Sequence, residues 1–204
     1  MNREKALMLL DEANEMNKGP WYEHSLNTAI VCERLAKNLD LNHEYAYCIG
    51  LLHDIGRRFG KTGPRHSYDG YVYLKEIGYE DFGRYCLSHS YVVKNVRNIP
   101  GICDLNEEED KFVATYLNEI EYNLYDKIIQ LADAIALPNG LTNIERRLID
   151  VYLRYGVNNN TVDNWKGYYK IQEEIEEILG FSIYKLFPEV KNIDNFLIKD
   201  ILTY

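Results

Sequence analysis

An all-α fold is predicted by three features of this 204-residue chain. Apolar residues recur at three-to-four spacing along most of it, no stretch has clear strand alternation, and glycine, proline and asparagine punctuate the periodic stretches. The first helix is expected over residues 3–17, where Ala6, Leu7, Leu10 and Ala13 share a face and Gly19-Pro20 ends the pattern. A second covers 22–39 with Leu26, Ile30, Leu35 and Leu39. Asn42 caps a third, which carries Ala46, Ile49, Gly50 and Leu52 into His53-Asp54. Gly56, Gly60, Gly63 and Pro64 then break the periodicity and make a loop. Helices follow over 65–77, stopped by Gly78, and over 79–90, with a turn at Ile99-Pro100-Gly101. Asn106 with Glu109 has the pattern of a capping box and opens a helix through Leu117. The next helix covers 124–136 and is closed by Pro138-Asn139-Gly140. Thr142 with Glu145 reads as a second capping box before a helix to Tyr155. Asn158-Asn159-Asn160 is a loop, and 162–179 is a further amphipathic helix.

The length suits a single domain, spanning 1–204, with enough chain to bury a core without staples. Hydrophobic residues at 46% and charged residues at 27% exclude a disordered chain. A net charge of −9 repels nucleic acid polymers and anionic membranes, so an anionic ligand needs a local cationic site. Bound divalent metal supplies one. The apolar runs are too short to span a bilayer, and the N-terminus is not an apolar signal region. The four cysteines, Cys32, Cys48, Cys86 and Cys103, are scattered, as expected for reduced thiols of a cytoplasmic protein.

Four of the five histidines, His24, His53, His66 and His89, fall at candidate ligand positions, whereas His43 has no partner pattern. His53 and Asp54 are adjacent, and neighbouring helical side chains diverge by roughly 100°. Both reach one metal only near a helix end, which Gly56 and the following loop supply. Asp133 interrupts the apolar run Leu131-Ala132-Asp133-Ala134-Ile135. A buried carboxylate there must be paired, hydrogen-bonded or metal-bound. Imidazole and carboxylate donors without thiolate suit Fe, Mn, Ni, Zn or Mg.

A histidine on one helix, a His-Asp pair on the next and an aspartate on a late helix resemble the pattern of the HD-domain phosphohydrolases. Here these are His24, His53-Asp54 and Asp133, and the run Gly50-Leu51-Leu52-His53-Asp54-Ile55-Gly56 is similar to the family's approach to its pair. The likeness covers residues 20–137 and leaves 141–204 as a helical extension of the bundle. His66 and His89 fall where a two-metal subset carries two more ligands, an arrangement similar to that of the HD-type symmetrical dinucleoside tetraphosphate hydrolases. One departure is Arg57, where many members carry lysine. Arginine keeps the cation but meets phosphate through a planar fork.

The resemblance implies hydrolysis of a phosphate ester or anhydride of a nucleotide-like small molecule by metal-activated water. One or two divalent ions would be held by His24, His53, Asp54, His66, His89 and Asp133, with Asp54 bridging two and, with Arg57, counted as catalytic. Arg57, Arg58, Lys61 and Arg65 put four cations in nine residues directly after the His-Asp pair, where substrate phosphate contact is expected. Three alternatives remain at this point. One is a mononuclear nucleoside monophosphate phosphatase with His66 and His89 around substrate. Another is an HD module that binds a nucleotide without cleaving it. The third is a purely structural helical protein, which the clustering of four histidines opposes.

Overall fold

A computed structural model describes residues 1–60 and 63–190, and the chain it describes is all-α. Among the described residues nine α-helices run in the order α1 (Arg3–Met16), α2 (Trp21–Asn38), α3 (His43–Leu52), α4 (Arg65–Glu76), α5 (Glu80–Ser88), α6 (Glu107–Glu119), α7 (Leu124–Ile135), α8 (Ile144–Tyr155) and α9 (Thr161–Leu179). The glycine-rich stretch after His53-Asp54 is not wholly loop, because Ile55–Phe59 forms a 3₁₀ turn. No described helix is long and apolar enough to cross a membrane.

Asparagine sets several helix starts. Asn2 and Asn42 accept from Lys5 N and Tyr45 N, and Asn106 closes the expected box with Glu109. An unexpected reciprocal box, Asn123 with Asp126, opens α7. The box expected at Thr142 is absent. Residues 136–141 instead fold into a hairpin, β1 (Ala136–Leu137) against β2 (Gly140–Leu141), and Thr142 N closes it by donating to Ile135 O at 2.8 Å. That leaves Asn143 to cap α8 by accepting from Arg146 N. The buried stripes are also rotated slightly from expectation. Leu9 joins Ala6, Leu10 and Ala13 as fully inward residues of α1 while Leu7 packs partly buried against them, and Ile30 of α2 is exposed while Ala29, Val31 and Cys32 are buried.

Close backbone approaches bring the chemistry-bearing helix ends together. A Cβ on Gly50 would sit 2.4 Å from Ala29 Cα, so α2 and α3 touch backbone to backbone. A Cβ on Gly56 would lie 2.0 Å from His66 O, and one on Gly70 would lie 3.1 Å from the Cys86 side chain. Gly56, Gly70 and Cys86 therefore stack the 3₁₀ turn, α4 and α5 one on another. Those contacts set the ends that carry His53-Asp54, His66 and His89 within reach of one another.

α7 closes the remaining side. Its Asp126 is fully buried and paired with Arg84 at 2.7 Å, and Gln130 Nε2 donates to Ser88 O at 2.8 Å beside His89. Ile144 and Leu148 of α8 and Ile171 and Ile175 of α9 join the same buried apolar cluster as Leu10, Leu35, Leu51 and Ile129. The turn between α8 and α9 is tied to the segment after α5, where Asn158 and Asn160 donate to the carbonyls of Ile99 and Arg97.

Candidate metal centre

His24 stands in the first turn of α2, His66 in the first turn of α4, and Asp133 near the end of α7. His53 and His89 are the C-terminal caps of α3 and α5. Asp54 leaves the helical path, at φ −102° and ψ 14°, so the adjacent His53 and Asp54 turn to a common centre as the sequence requires. His24 Nε2 lies 2.8 Å from Asp133 Oδ1 and 3.3 Å from His53 Nε2. His66 Nε2 lies 3.0 Å from Asp54 Oδ1 and 3.2 Å from His89 Nε2. Between these groups His53 Nε2 is 3.7 Å from Asp133 Oδ1 and 3.9 Å from Asp54 Oδ2. All six side chains are buried except that of Asp133, which is 20% exposed and marks the open side.

Charge at the centre is balanced against burial. Burial raises the Asp54 carboxyl, but Arg57 and the neighbouring imidazoles outweigh it and hold the group well below the usual carboxylate range. Burial acts the same way on Asp133, which the neighbouring His24 and His53 likewise hold below that range. Burial lowers His24 despite its carboxylate partner, and burial beside His53 and His66 brings His89 down to about 3. His53 moves the other way, since Asp54 and Asp133 outweigh its burial. Two ionised carboxylates thus make this pocket attractive to positive charge.

Hydrogen bonding decides where the imidazole lone pairs point. Nδ1 of His53, His66 and His89 donates to the carbonyls of Gly50, Gly63 and Cys86 at 2.7, 2.5 and 2.8 Å. In the neutral rings each Nε2 is then a bare acceptor. Two such acceptors 3.2 Å apart, those of His66 and His89, repel unless a cation lies with them. Asp54 Oδ1 is buried against both and accepts no hydrogen bond among the described residues. Three carbonyls orienting three ligand rings is the arrangement metal-binding histidines require. His24, His53 and Asp133, and separately His53, Asp54 and His89, offer donor atoms within 4.8 Å of one another. The residues present therefore fit a divalent cation. Thiolates take no part, since burial pushes the Cys32 and Cys86 thiols up.

The basic stretch divides. Arg57 Nε donates to Asp54 Oδ2 at 2.6 Å, so this cation stands at the centre. Arg58 turns instead to Glu12 at 2.9 Å and lies over the Tyr73 ring at 3.9 Å. Arg65 is held by both oxygens of Glu109, at 2.8 and 2.6 Å. The start of α4 already has an anion, because Gly63 N and Arg65 N donate to Asp104. Lys61 lies outside the described residues. Acidic side chains remote in sequence take up two of the cations expected at phosphate. Arg58→Met is expected to hold stability within about 1 kcal/mol, because Nε and Nη1 are buried without partners and methionine fills the slot. Phosphate affinity of the metal-loaded protein should be unchanged. A thermal melt and a phosphate titration check both, and a loss of affinity would return Arg58 to the ligand site.

Some neighbours of the centre have little signature in the sequence. Tyr155 of α8 is near enough to Arg57, and Tyr168 of α9 to Asp133, for their charges to be felt. Neither position is marked by a motif. Ser67 and Ser90 stand beside the rings of His66 and His89, and here a signal exists: each serine directly follows its histidine. His43 is half exposed at the start of α3, away from the centre.

A family model described as HD domain matches residues 21–137, more than half of the chain. Among curated proteins and among solved structures, nothing matches. The matched span begins at α2 and ends at β1, so it contains all six ligand candidates and excludes α8 and α9.

Proposed function

We propose, from the premise that this chain belongs to the HD-domain family, that it hydrolyses a phosphate ester or anhydride of a small nucleotide-like molecule. The family is one of metal-dependent phosphohydrolases, and the substrate class is the step added here. The observation that carries the reading is the convergence of imidazole lone pairs and of the unpartnered Asp54 Oδ1 on one buried point. Donors arranged in this way are costly without a cation. A divalent ion bound there lowers the pKa of coordinated water to about 7 and offsets phosphoryl charge.

The chain's own residues then have separable roles. His24, His53 and Asp133 form one ligand group, and His66 and His89 face Asp54 Oδ1 in another. Asp54 presents Oδ2 toward His53 and Oδ1 toward His66 and His89, which supports its sharing between two ions. Arg57, charged and held on Asp54, is the cation set to meet a phosphoryl oxygen. Asp133 and Arg57, the more exposed members, mark the side from which substrate enters.

One observation favours the mononuclear alternative. His53 belongs to both donor groups, so one ion held by His24, His53, Asp54 and Asp133 would leave His66 and His89 facing substrate. Metal content of the protein purified without added metal or chelator separates the readings. About two equivalents per chain are expected, with phosphate release from a panel of nucleotides and dinucleoside polyphosphates. One equivalent with release from monophosphates favours the mononuclear enzyme, and nucleotide binding without release makes the chain a sensor. Protein that takes up no metal on reconstitution overturns both enzyme readings.

A further inference from the structure

Ser67 and Ser90 form a hydroxyl pair at the His66–His89 edge of the centre. Their Oγ atoms are 2.8 Å apart, Ser90 Oγ is 3.0 Å from His89 Nε2, and Ser67 Oγ is 3.4 Å from His66 Nε2. Ser67 is 1% exposed, so its hydroxyl must spend its hydrogen within this group. Two O–H groups are available for one serine–serine bond and one bond to an imidazole. The shorter chain runs from Ser67 to Ser90 to His89 Nε2.

That last acceptor is lost when the centre is loaded. The Nε2 lone pair that receives the Ser90 proton is the one His89 would turn to a cation, since its Nδ1 is committed to Cys86 O. A cation there leaves the Ser90 O–H aimed at the edge of the centre without a partner. An anionic oxygen drawn to the same cation is the natural replacement, and a hydrogen bond to a charged oxygen is stronger than one to a neutral ring.

We infer that Ser90, oriented by Ser67, donates a hydrogen bond to a phosphoryl oxygen of the bound substrate or product. Ser90 is thus a binding residue, and Ser67 is a positioning residue that acts through it. The inference rests on the phosphohydrolase reading and narrows which side of the centre the phosphoryl group meets.

Inorganic phosphate titrated calorimetrically into manganese-loaded protein tests it, with metal counted in the same samples. Ser90→Ala and Ser90→Cys are expected to keep the wild-type metal count and lose about tenfold in phosphate affinity. Ser67→Ala should lose less, and Ser90→Thr, which restores the hydroxyl, should recover most of the affinity. Unchanged phosphate affinity in both Ser90 variants at full metal count overturns the inference and leaves the enzyme reading intact. Metal lost in step with affinity also overturns it, since the serines would then only set the imidazoles. Wild-type protein that binds manganese but no phosphate removes the phosphohydrolase reading as well.

Discussion

Asp54→Ala is expected to empty the centre of metal and to abolish turnover. Asp54 is the side chain that touches both ligand groups and Arg57. Its Oδ1 lies 3.0 Å from His66 Nε2, and its Oδ2 lies 2.6 Å from Arg57 Nε. Removing it deletes the carboxylate shared between the groups and takes the Asp54 charge away from Arg57 beside the metal position, two changes that both oppose a divalent ion. Loss of a partner that only orients a ligand costs metal affinity or activity about 10–100-fold. Loss of this ligand should exceed that, with turnover down at least about a thousandfold. Folding should suffer less than the roughly 3–5 kcal/mol of breaking a fully buried pair, because the Arg57 side chain is 27% exposed and reaches water. The diagnostic readout is the metal-dependent melting shift. Saturating metal at about 100 times its dissociation constant adds some 2.7 kcal/mol to the wild type and should add nothing to the variant. A folded Asp54→Ala protein that keeps its metal and its turnover sinks the assignment.

The parts of this centre legible in the sequence are those whose local context dictates their geometry. His53-Asp54 is legible because an apolar helix runs straight into a glycine-rich stretch, and the structure ends α3 at Leu52. Asp133 is legible because a carboxylate inside an apolar run demands a partner, and His24 lies 2.8 Å away. Asn42 and Asn106 are legible as caps because each stands directly before a periodic stretch, and both cap their helices. At Thr142-Asn143 two capping residues compete, and the hairpin over 136–141 takes the first into its own closure. The basic stretch was readable as a cluster of cations but not as a set of pairs. The partners Glu12 and Glu109 lie 46 and 44 residues away from Arg58 and Arg65, and no spacing rule connects them. The approach of α8 and α9 to the centre was likewise hidden, since it follows from packing on α7 and not from any motif.

The close approach at Gly56 makes the second large effect. A Cβ there would sit 2.0 Å from His66 O and 2.5 Å from Gly70 N, and backbone atoms cannot swing aside as a flexible side chain does. Gly56→Ala must therefore push the 3₁₀ turn away from α4, at a cost of about 3 kcal/mol or more, the upper end for overpacking. For a chain of this size that lowers the melting temperature by roughly 6–12 °C. Gly70→Ala is the milder variant of the same seam, because its Cβ would meet the Cys86 side chain at 3.1 Å and Gly56 N at 3.2 Å and needs a shift of only a few tenths of an ångström. The displacement at Gly56 separates Asp54 from His66 but leaves His24, His53 and Asp133 on α2, α3 and α7 in contact. In the two-metal reading the Gly56→Ala protein should thus lose its second equivalent of metal before its first, and turnover with it. Stability and metal content measured on both variants check this. A Gly56→Ala protein as stable as the wild type would mean that the 3₁₀ turn and α4 do not meet backbone to backbone. The reason given for His66 joining the centre would then fall.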